Sequence, residues 1–339
     1  MTVYLAFNEA EGLDDPSGII ANTSRASISG VCRAGFESEN LAKNTSKSFT
    51  STFDTGISEG WVRVGIYVNE DNTAARKLAG DIFRVYDSDS NEIVGIYANN
   101  DGTGTIRANS VLDGTLQTLG TKYRTLFYLD INIKLDASGF VKIYLDGVLA
   151  YEETGDTIQS TSGTTFNQLW FNQNAGNTVV ISTDEKNTFV QVLVSDQPTF
   201  NAKVYTLDPS AGSTNDWDSG SVTDIDETGV DDTDQVITAN ASDQFTIDTS
   251  VTLSDPSAPA RFTAVVQSWR ASYDSTSAPS QLTPFLNDTT ATSTSFGTGQ
   301  TLGTGLEPYQ YVWNDDPADS TNWSATKINN YEFGLRTDT

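Results

Sequence analysis

Apolar and polar residues alternate along much of the first two hundred positions. From Trp61 to Asn69, Val62, Val64, Ile66 and Val68 fall on one side and Trp61, Arg63 and Tyr67 on the other, a period of two that predicts a strand with one buried face. Ile82 to Tyr86 and Glu92 to Ala98 repeat the pattern, and Asp87-Ser88-Asp89-Ser90-Asn91 between them is turn chemistry, so the pair predicts a hairpin. From Leu126 to Tyr151, Phe127, Leu129, Ile131, Ile133 and Leu135 alternate with Tyr128, Asp130, Asn132 and Lys134, and a turn follows at Asp136-Ala137-Ser138-Gly139. Phe140 to Leu145 then meets Asp146-Gly147, the dipeptide favoured in two-residue hairpins, before Val148 to Tyr151. This predicts a three-strand meander. Further strands are expected at Phe166 to Asn172, Thr178 to Ser182 and Thr188 to Ser195; only Ala74 to Ala79 looks briefly helical.

The pattern breaks at Ser195-Asp196-Gln197-Pro198-Thr199 and the composition changes beyond it. Strands are expected again at Gln235 to Ala239, Gln244 to Asp248, Arg261 to Tyr273, Gln310 to Asn314 and Asn330 to Arg336. Turn-bounded strands at this spacing predict an all-β chain with a jelly roll over residues 1–197 and a smaller, immunoglobulin-like β-sandwich over 198–339. A length of 339 residues agrees with two cores.

Charge narrows the partners. Lys and Arg number 19 against 45 Asp and Glu, a formal charge of −26, so phosphate backbones and anionic lipid are disfavoured and neither nucleic-acid binding nor membrane insertion is expected. Between Val204 and Ala260 there is no basic residue. Any partner of that stretch should offer Lys, Arg or a divalent ion. Cys32 is the lone cysteine, which excludes an intrachain disulfide. No basic-then-apolar leader opens the chain and no apolar run is long enough to span a bilayer, so synthesis in the cytoplasm without a signal peptide is the expectation.

Phe140-Val-Lys-Ile-Tyr-Leu-Asp-Gly-Val-Leu-Ala-Tyr-Glu-Glu-Thr-Gly-Asp-Thr157 resembles the strand, Asp-Gly turn and strand of concanavalin A-like, laminin-G-like jelly rolls. The second half, through Ala202-Lys-Val-Tyr-Thr-Leu-Asp-Pro-Ser-Ala-Gly212, Asp224-Ile-Asp-Glu-Thr228 and Asp316 to Leu335, resembles a domain that follows such jelly rolls in structural proteins of tailed phages. The resemblance implies a non-enzymatic structural protein on the virion surface, at the tail tip, fibre or capsid. It would occur in multiple copies or as a homo-oligomer, held by other virion proteins, with host glycans as a further contact. Aromatic-rich strands around Tyr309, Tyr311, Trp313 and Tyr331 would supply apolar contact area. A free lectin-like protein or a glycoside hydrolase is the alternative.

Candidate chemistry is sparse. The sequence contains no histidine, which removes Ser-His-Asp and Cys-His catalysis and the His-bearing zinc sites. Glycosidase chemistry needs only two facing carboxylates, and Asp224-Ile-Asp226-Glu227 has a suggestive spacing, but it falls outside the jelly roll. No catalytic residue is therefore assigned. Asp87-x-Asp89-x-Asn91 matches the first ligand spacings of a calcium loop, yet Glu92 stands where glycine is needed and the closing glutamate is missing. No metal site or cofactor is assigned, calcium being the one ion the spacing allows. Trp170 and Asn172 share one side of a strand; an aromatic ring beside an amide suits a shallow glycan site, and they are the ligand-binding candidates. Trp269, Trp313 and Trp323 are expected in the core or at a subunit interface.

Overall fold

The computed structural model describes residues 1–8, 13–14, 19–22, 35–38, 47–68, 80–98, 104–122, 125–158, 163–173, 187–207, 209–225, 235–249, 252–256, 261–273 and 279–339. In chain order the strands of the first half are β1 (Val3–Phe7), β2 (Ile19–Asn22), β3 (Gly35–Ser38), β4 (Lys47–Ile57), β5 (Glu59–Val68), β6 (Gly80–Asp87), β7 (Glu92–Ala98), β8 (Thr105–Ser110), β9 (Gln117–Thr121), β10 (Leu126–Lys134), β11 (Gly139–Leu145), β12 (Val148–Gly155), β13 (Phe166–Gln173) and β14 (Asn187–Ser195). They form two antiparallel sheets. One runs β12-β11-β10-β5-β14-β3-β2 with β1 beside β14, and the other runs β4-β13-β6-β7-β8-β9.

The two sheets face each other as a jelly roll. Val62, Val64 and Ile66 of β5, Phe127, Leu129, Ile131 and Ile133 of β10, and Phe189 of β14 are fully buried from one sheet; Phe83, Val85, Val94, Ile96, Leu169 and Phe171 are fully buried from the other. Phe171 touches Phe189 across the gap, with ring centroids 5.1 Å apart. The meander β10-β11-β12 has the expected register, with Ile131 opposite Ile143 and Asp130 opposite Tyr144. Its turn residues Asp146 and Gly147 both take positive φ, 50° and 79°, the conformation that selects Asp-Gly in two-residue hairpins.

A bulge in β14 places Gln191 at φ 53°. Buried Asn8 clamps it, Oδ1 accepting from the Gln191 backbone N–H at 2.8 Å while Nδ2 donates to the Val204 carbonyl at 2.8 Å. The stretch after β14 is likewise pinned to the outer side of the larger sheet. Thr199 is fully buried and its hydroxyl donates to Asp130 at 2.7 Å, and Phe200 packs edge-on against Trp61 and Tyr144.

By contact density the chain divides into Tyr4–Tyr205 and a second unit of Thr206–Thr339 with Met1–Val3. The second unit contains β15 (Pro209–Asn215), β16 (Gln244–Thr249), β17 (Val265–Ala271), β18 (Gln281–Asp288), β19 (Ser293–Phe296), β20 (Gln300–Thr301), β21 (Glu307–Trp313), the one-turn helix α1 (Ala325–Asn329) and β22 (Tyr331–Asp338). A sheet β15-β16-β22-β18-β19, with β20 beside β18, is accompanied by the ribbon β17-β21. Leu286, Trp313, Trp323, Ile328, Tyr331 and Phe333 make one core cluster, and Trp269, Leu282 and Leu302 another. Trp269, Trp313 and Trp323 are thus core residues.

Several expectations shift. Gln235 to Ala239 is not a strand but a single bridge, Ile237 to Ser219, because its polar neighbours offer no face to bury. Trp313 and Tyr331, expected to offer surface area, are buried in their own unit. Tyr331 donates its hydroxyl to Asp316 at 2.6 Å, a carboxylate also paired with Lys327 at 2.8 Å. Thr178 to Ser182, Ala74 to Ala79 and Cys32 lie outside the described residues.

Candidate functional site

The outer face of the sheet β4-β13-β6-β7-β8-β9 is where polar and aromatic side chains gather. The alternation that sends Phe49, Phe83, Val94, Ile96, Ile106, Ala108, Leu169 and Phe171 inward sends their neighbours outward, except at the β6–β7 bulges, where Ile82 and Ile93 are buried as well. Register then aligns those neighbours in rows across the strands. Thr50 lies opposite Trp170, Trp170 opposite Arg84, Arg84 opposite Gly95, and Gly95 opposite Asn109. On one side of this row run Thr52, Gln168, Tyr86 and Glu92; on the other run Asp81, Tyr97, Arg107 and Thr118.

Arg84 is the hub. Its guanidinium stands over the Trp170 ring, 4.9 Å from the centroid, pairs with Glu92 at 2.9 Å and with Asp81, and donates to the Tyr86 hydroxyl at 3.1 Å. Burial pulls its pKa down, but the hydrogen bond to Tyr86 and the charges of Glu92 and Asp81 together outweigh it and hold the guanidinium above its usual value. Stacking of a guanidinium on the indole fixes both planes, giving the sheet a flat, half-buried platform.

Gly95 makes the next step possible. A Cβ at that position would lie 2.5 Å from Glu92 Oε1, 2.5 Å from the Tyr97 hydroxyl and 2.6 Å from Asn109 Oδ1. Three polar ends therefore converge over a bare backbone, where any larger residue would push them apart. Tyr97 donates to Glu92 Oε1 at 3.0 Å. Asn109 Oδ1 is buried with no hydrogen-bond partner, as is Arg107 Nε.

Burial first, and the Glu92 charge second, push the Tyr97 hydroxyl up to about 12. Tyr97 is therefore a hydrogen-bond donor throughout the neutral range. Comparison of tyrosinate absorbance in the wild type and Tyr97→Phe should assign one step near 12 to this residue. The sign of its effect on stability follows: below pH 10 the contribution is complete, and it is lost as pH rises through about 12, because the unfolded chain ionises first.

Trp170 is half-buried on this face, as its alternation with Leu169 and Phe171 requires. Asn172 is on the same side of β13 but is 4% exposed, with a buried Oδ1 that has no partner. The structure thus pairs Trp170 with Arg84 rather than with an open Asn172 amide. Arg84, Glu92, Tyr97, Arg107 and Asn109 escaped the sequence reading, although Arg107 and Asn109 alternate visibly with Ile106 and Ala108.

The other candidates resolve differently. Asp87 is buried and its carboxylate accepts from the N–H groups of Asp89 at 2.9 Å, Asn91 at 2.7 Å and Gly163 at 2.7 Å. It staples the β6–β7 turn, and its oxygens already face N–H donors. Asp224 ends a one-turn 3-10 helix, where it accepts from the Ser221 N–H at 2.6 Å; Asp226 and Glu227 lie outside the described residues. Among the described residues no group of three or more Asp, Glu, Cys or His is arranged to hold a metal.

No protein-family model matches the chain, and no curated protein matches it. Solved structures do. The globular domain of T. cruzi calreticulin matches at 9% identity over 58% of this chain and 88% of that one, with a TM-score of 0.38. An endo-β-1,4-glucuronan lyase from the fungus Trichoderma reesei matches at 10% identity over 58% and 96%, TM-score 0.39, and a Trypanosoma rangeli sialidase at 8% over 49% and 28%, TM-score 0.33. These likenesses reach the jelly-roll β-sandwich and carry no sign of a phage protein. They also correct the expectation of a non-enzymatic chain, since a lyase and a sialidase are among the matching folds. The physical reason is plain: lacking histidine removes only histidine-dependent chemistry, and carboxylates, tyrosine and arginine remain.

Proposed function

We propose that the outer face of the sheet β4-β13-β6-β7-β8-β9 binds a saccharide chain. The observation that carries this reading is the register row Thr50, Trp170, Arg84, Gly95 and Asn109, which sets an aromatic platform beside converging hydroxyl, amide and carboxylate groups. Sugars present an apolar ring face edged by hydroxyls, so a ring on which to stack and polar groups at its rim are complementary to them. From Trp170 on β13 to Asn109 on β8 is three strand spacings, roughly 14 Å. That span suits an oligosaccharide laid across the strands better than a single sugar. Placement of the protein on a virion is a separate proposal that rests on the sequence resemblance alone.

The test is a panel of soluble oligosaccharides titrated into the full chain. Wild type should bind at least one, and Trp170→Ala should weaken that binding about tenfold, the loss of a stacking contact worth about 1–3 kcal/mol. Gly95→Val should weaken it as well, while the fold persists, because the atoms it displaces are the free ends of Glu92, Tyr97 and Asn109. Absence of binding across the panel, or an unchanged Trp170→Ala, would remove the reading.

A further inference from the structure

We infer that this face is built for an acidic saccharide, with Arg107 receiving a sugar carboxylate; the inference rests on the saccharide-binding reading. Its starting point is an imbalance. The sequence has 45 acidic residues for 19 basic ones, so a half-buried arginine should readily find a carboxylate. Arg63 has Asp130, Arg84 has Asp81 and Glu92, Lys122 has Asp146, and Lys142 has Glu152. Arg107 makes no ion pair and no side-chain hydrogen bond with the described residues, and its Nε is buried without a partner.

The surroundings explain why none of the nearby acids answers it. Asp81 and Glu92 are both engaged by Arg84, and Glu92 also accepts from Tyr97. Tyr97, directly opposite Arg107 on β7, points its hydroxyl to Glu92 and stays protonated. On the other side Arg107 faces the exposed Thr118 of β9. Arg107 is left as an uncompensated positive group in the row beside that of Trp170, two residues from Asn109. Its Nε is buried, as are those of Arg63 and Arg84, so a ligand would meet the Nη end of the guanidinium. A carboxylate fits that end with paired N–H···O bonds from the two Nη groups. The saccharide class that carries such a carboxylate is a chain containing uronic acid units.

Matched tetrasaccharides isolate the carboxylate. Titration calorimetry of the full chain would compare β-1,4-linked glucose with β-1,4-linked glucuronic acid, and β-1,4-linked mannose with β-1,4-linked mannuronic acid, each pair differing only at C6. In at least one pair the acidic member should bind about tenfold more tightly at low salt, the scale of one hydrogen-bonded charge pair, and Arg107→Gln should erase the difference while keeping the affinity for the neutral member. Trp170→Ala should weaken both members alike. Equal affinities within both pairs, or a preference that survives Arg107→Gln, would overturn the role of Arg107 and leave saccharide binding standing. Failure of both acidic members to bind would overturn the acidic-saccharide inference, whereas saccharide binding falls only if the wider panel fails as well.

Discussion

Replacing Asp130 by alanine is expected to destabilise the first unit by about 3–5 kcal/mol, the usual consequence of removing one partner from a buried ion pair. Arg63 and Asp130 are cross-strand neighbours on β5 and β10, 6% and 1% exposed. Arg63 Nη1 donates to both carboxylate oxygens, at 2.7 and 2.8 Å, and its guanidinium lies over the Tyr128 ring, 4.3 Å from the centroid. Without Asp130 the guanidinium stays buried beneath the Thr199–Phe200 cover with no counter-charge, and the Thr199 hydroxyl loses its acceptor. For a unit of about 200 residues the loss would lower the melting temperature by roughly 6–20 °C.

The double change Arg63→Met with Asp130→Leu separates cause from coincidence. If the penalty comes from an orphaned charge, removing both charges should restore most of the stability, since apolar replacement of a buried pair is often neutral or better. Chemical denaturation of the three proteins measures this. A single Asp130→Ala costing less than about 1 kcal/mol would show that water reaches the pair and that the cover over it is open.

What could be read in the sequence divides along the range of the interactions. The meander β10-β11-β12 was legible because its pairing is local and its turn carries Asp146-Gly147, which by chemistry admits one kind of hairpin. The β6–β7 hairpin was legible for the same reason. The pairings β13 with β6 and β14 with β5 join segments far apart in the chain, and alternation says only that a strand has two sides, not which strand lies beside it. The candidate site depends on those distant pairings. Trp170 could be singled out by residue type, but nothing local says that Arg84 lies opposite it or that Gly95 makes room for three side chains.

The burial of Asn172 was out of reach for a related reason. Its side follows from the alternation, whereas its burial depends on what covers that end of the sheet. The bulge at Gln191 was invisible because Asn8, which holds it, lies 183 residues away. In the second half, aromatic density around Tyr309 to Tyr331 was legible as apolar area, yet its destination was not. Trp313 donates its indole N–H to Gln267 at 2.6 Å and accepts at its carbonyl from Trp323 at 2.8 Å, contacts that commit it to its own unit.

Phe171→Ala is expected to cost about 3–5 kcal/mol, the range for deleting a large buried ring whose cavity cannot collapse. Phe171 is fully buried and meets Phe83 at 5.3 Å within its own sheet, and Phe7 at 6.1 Å and Phe189 at 5.1 Å from the facing one. The Phe7 and Phe189 rings meet it edge-on across the sheets and the Phe83 ring is tilted against it, contacts that add to the burial of area. Because paired strands in both sheets hold these rings in place, the void should persist rather than close. Phe171→Leu keeps much of the volume and should cost markedly less. The same alternation that sends Phe171 inward sends Trp170 outward, so the pair also distinguishes core from site. Below its lowered unfolding transition, Phe171→Ala should retain saccharide affinity while losing stability, and Trp170→Ala should do the reverse. Measuring denaturation and binding on both variants checks this; a Phe171→Ala protein that is as stable as wild type would mean that the two sheets do not interlock at this ring.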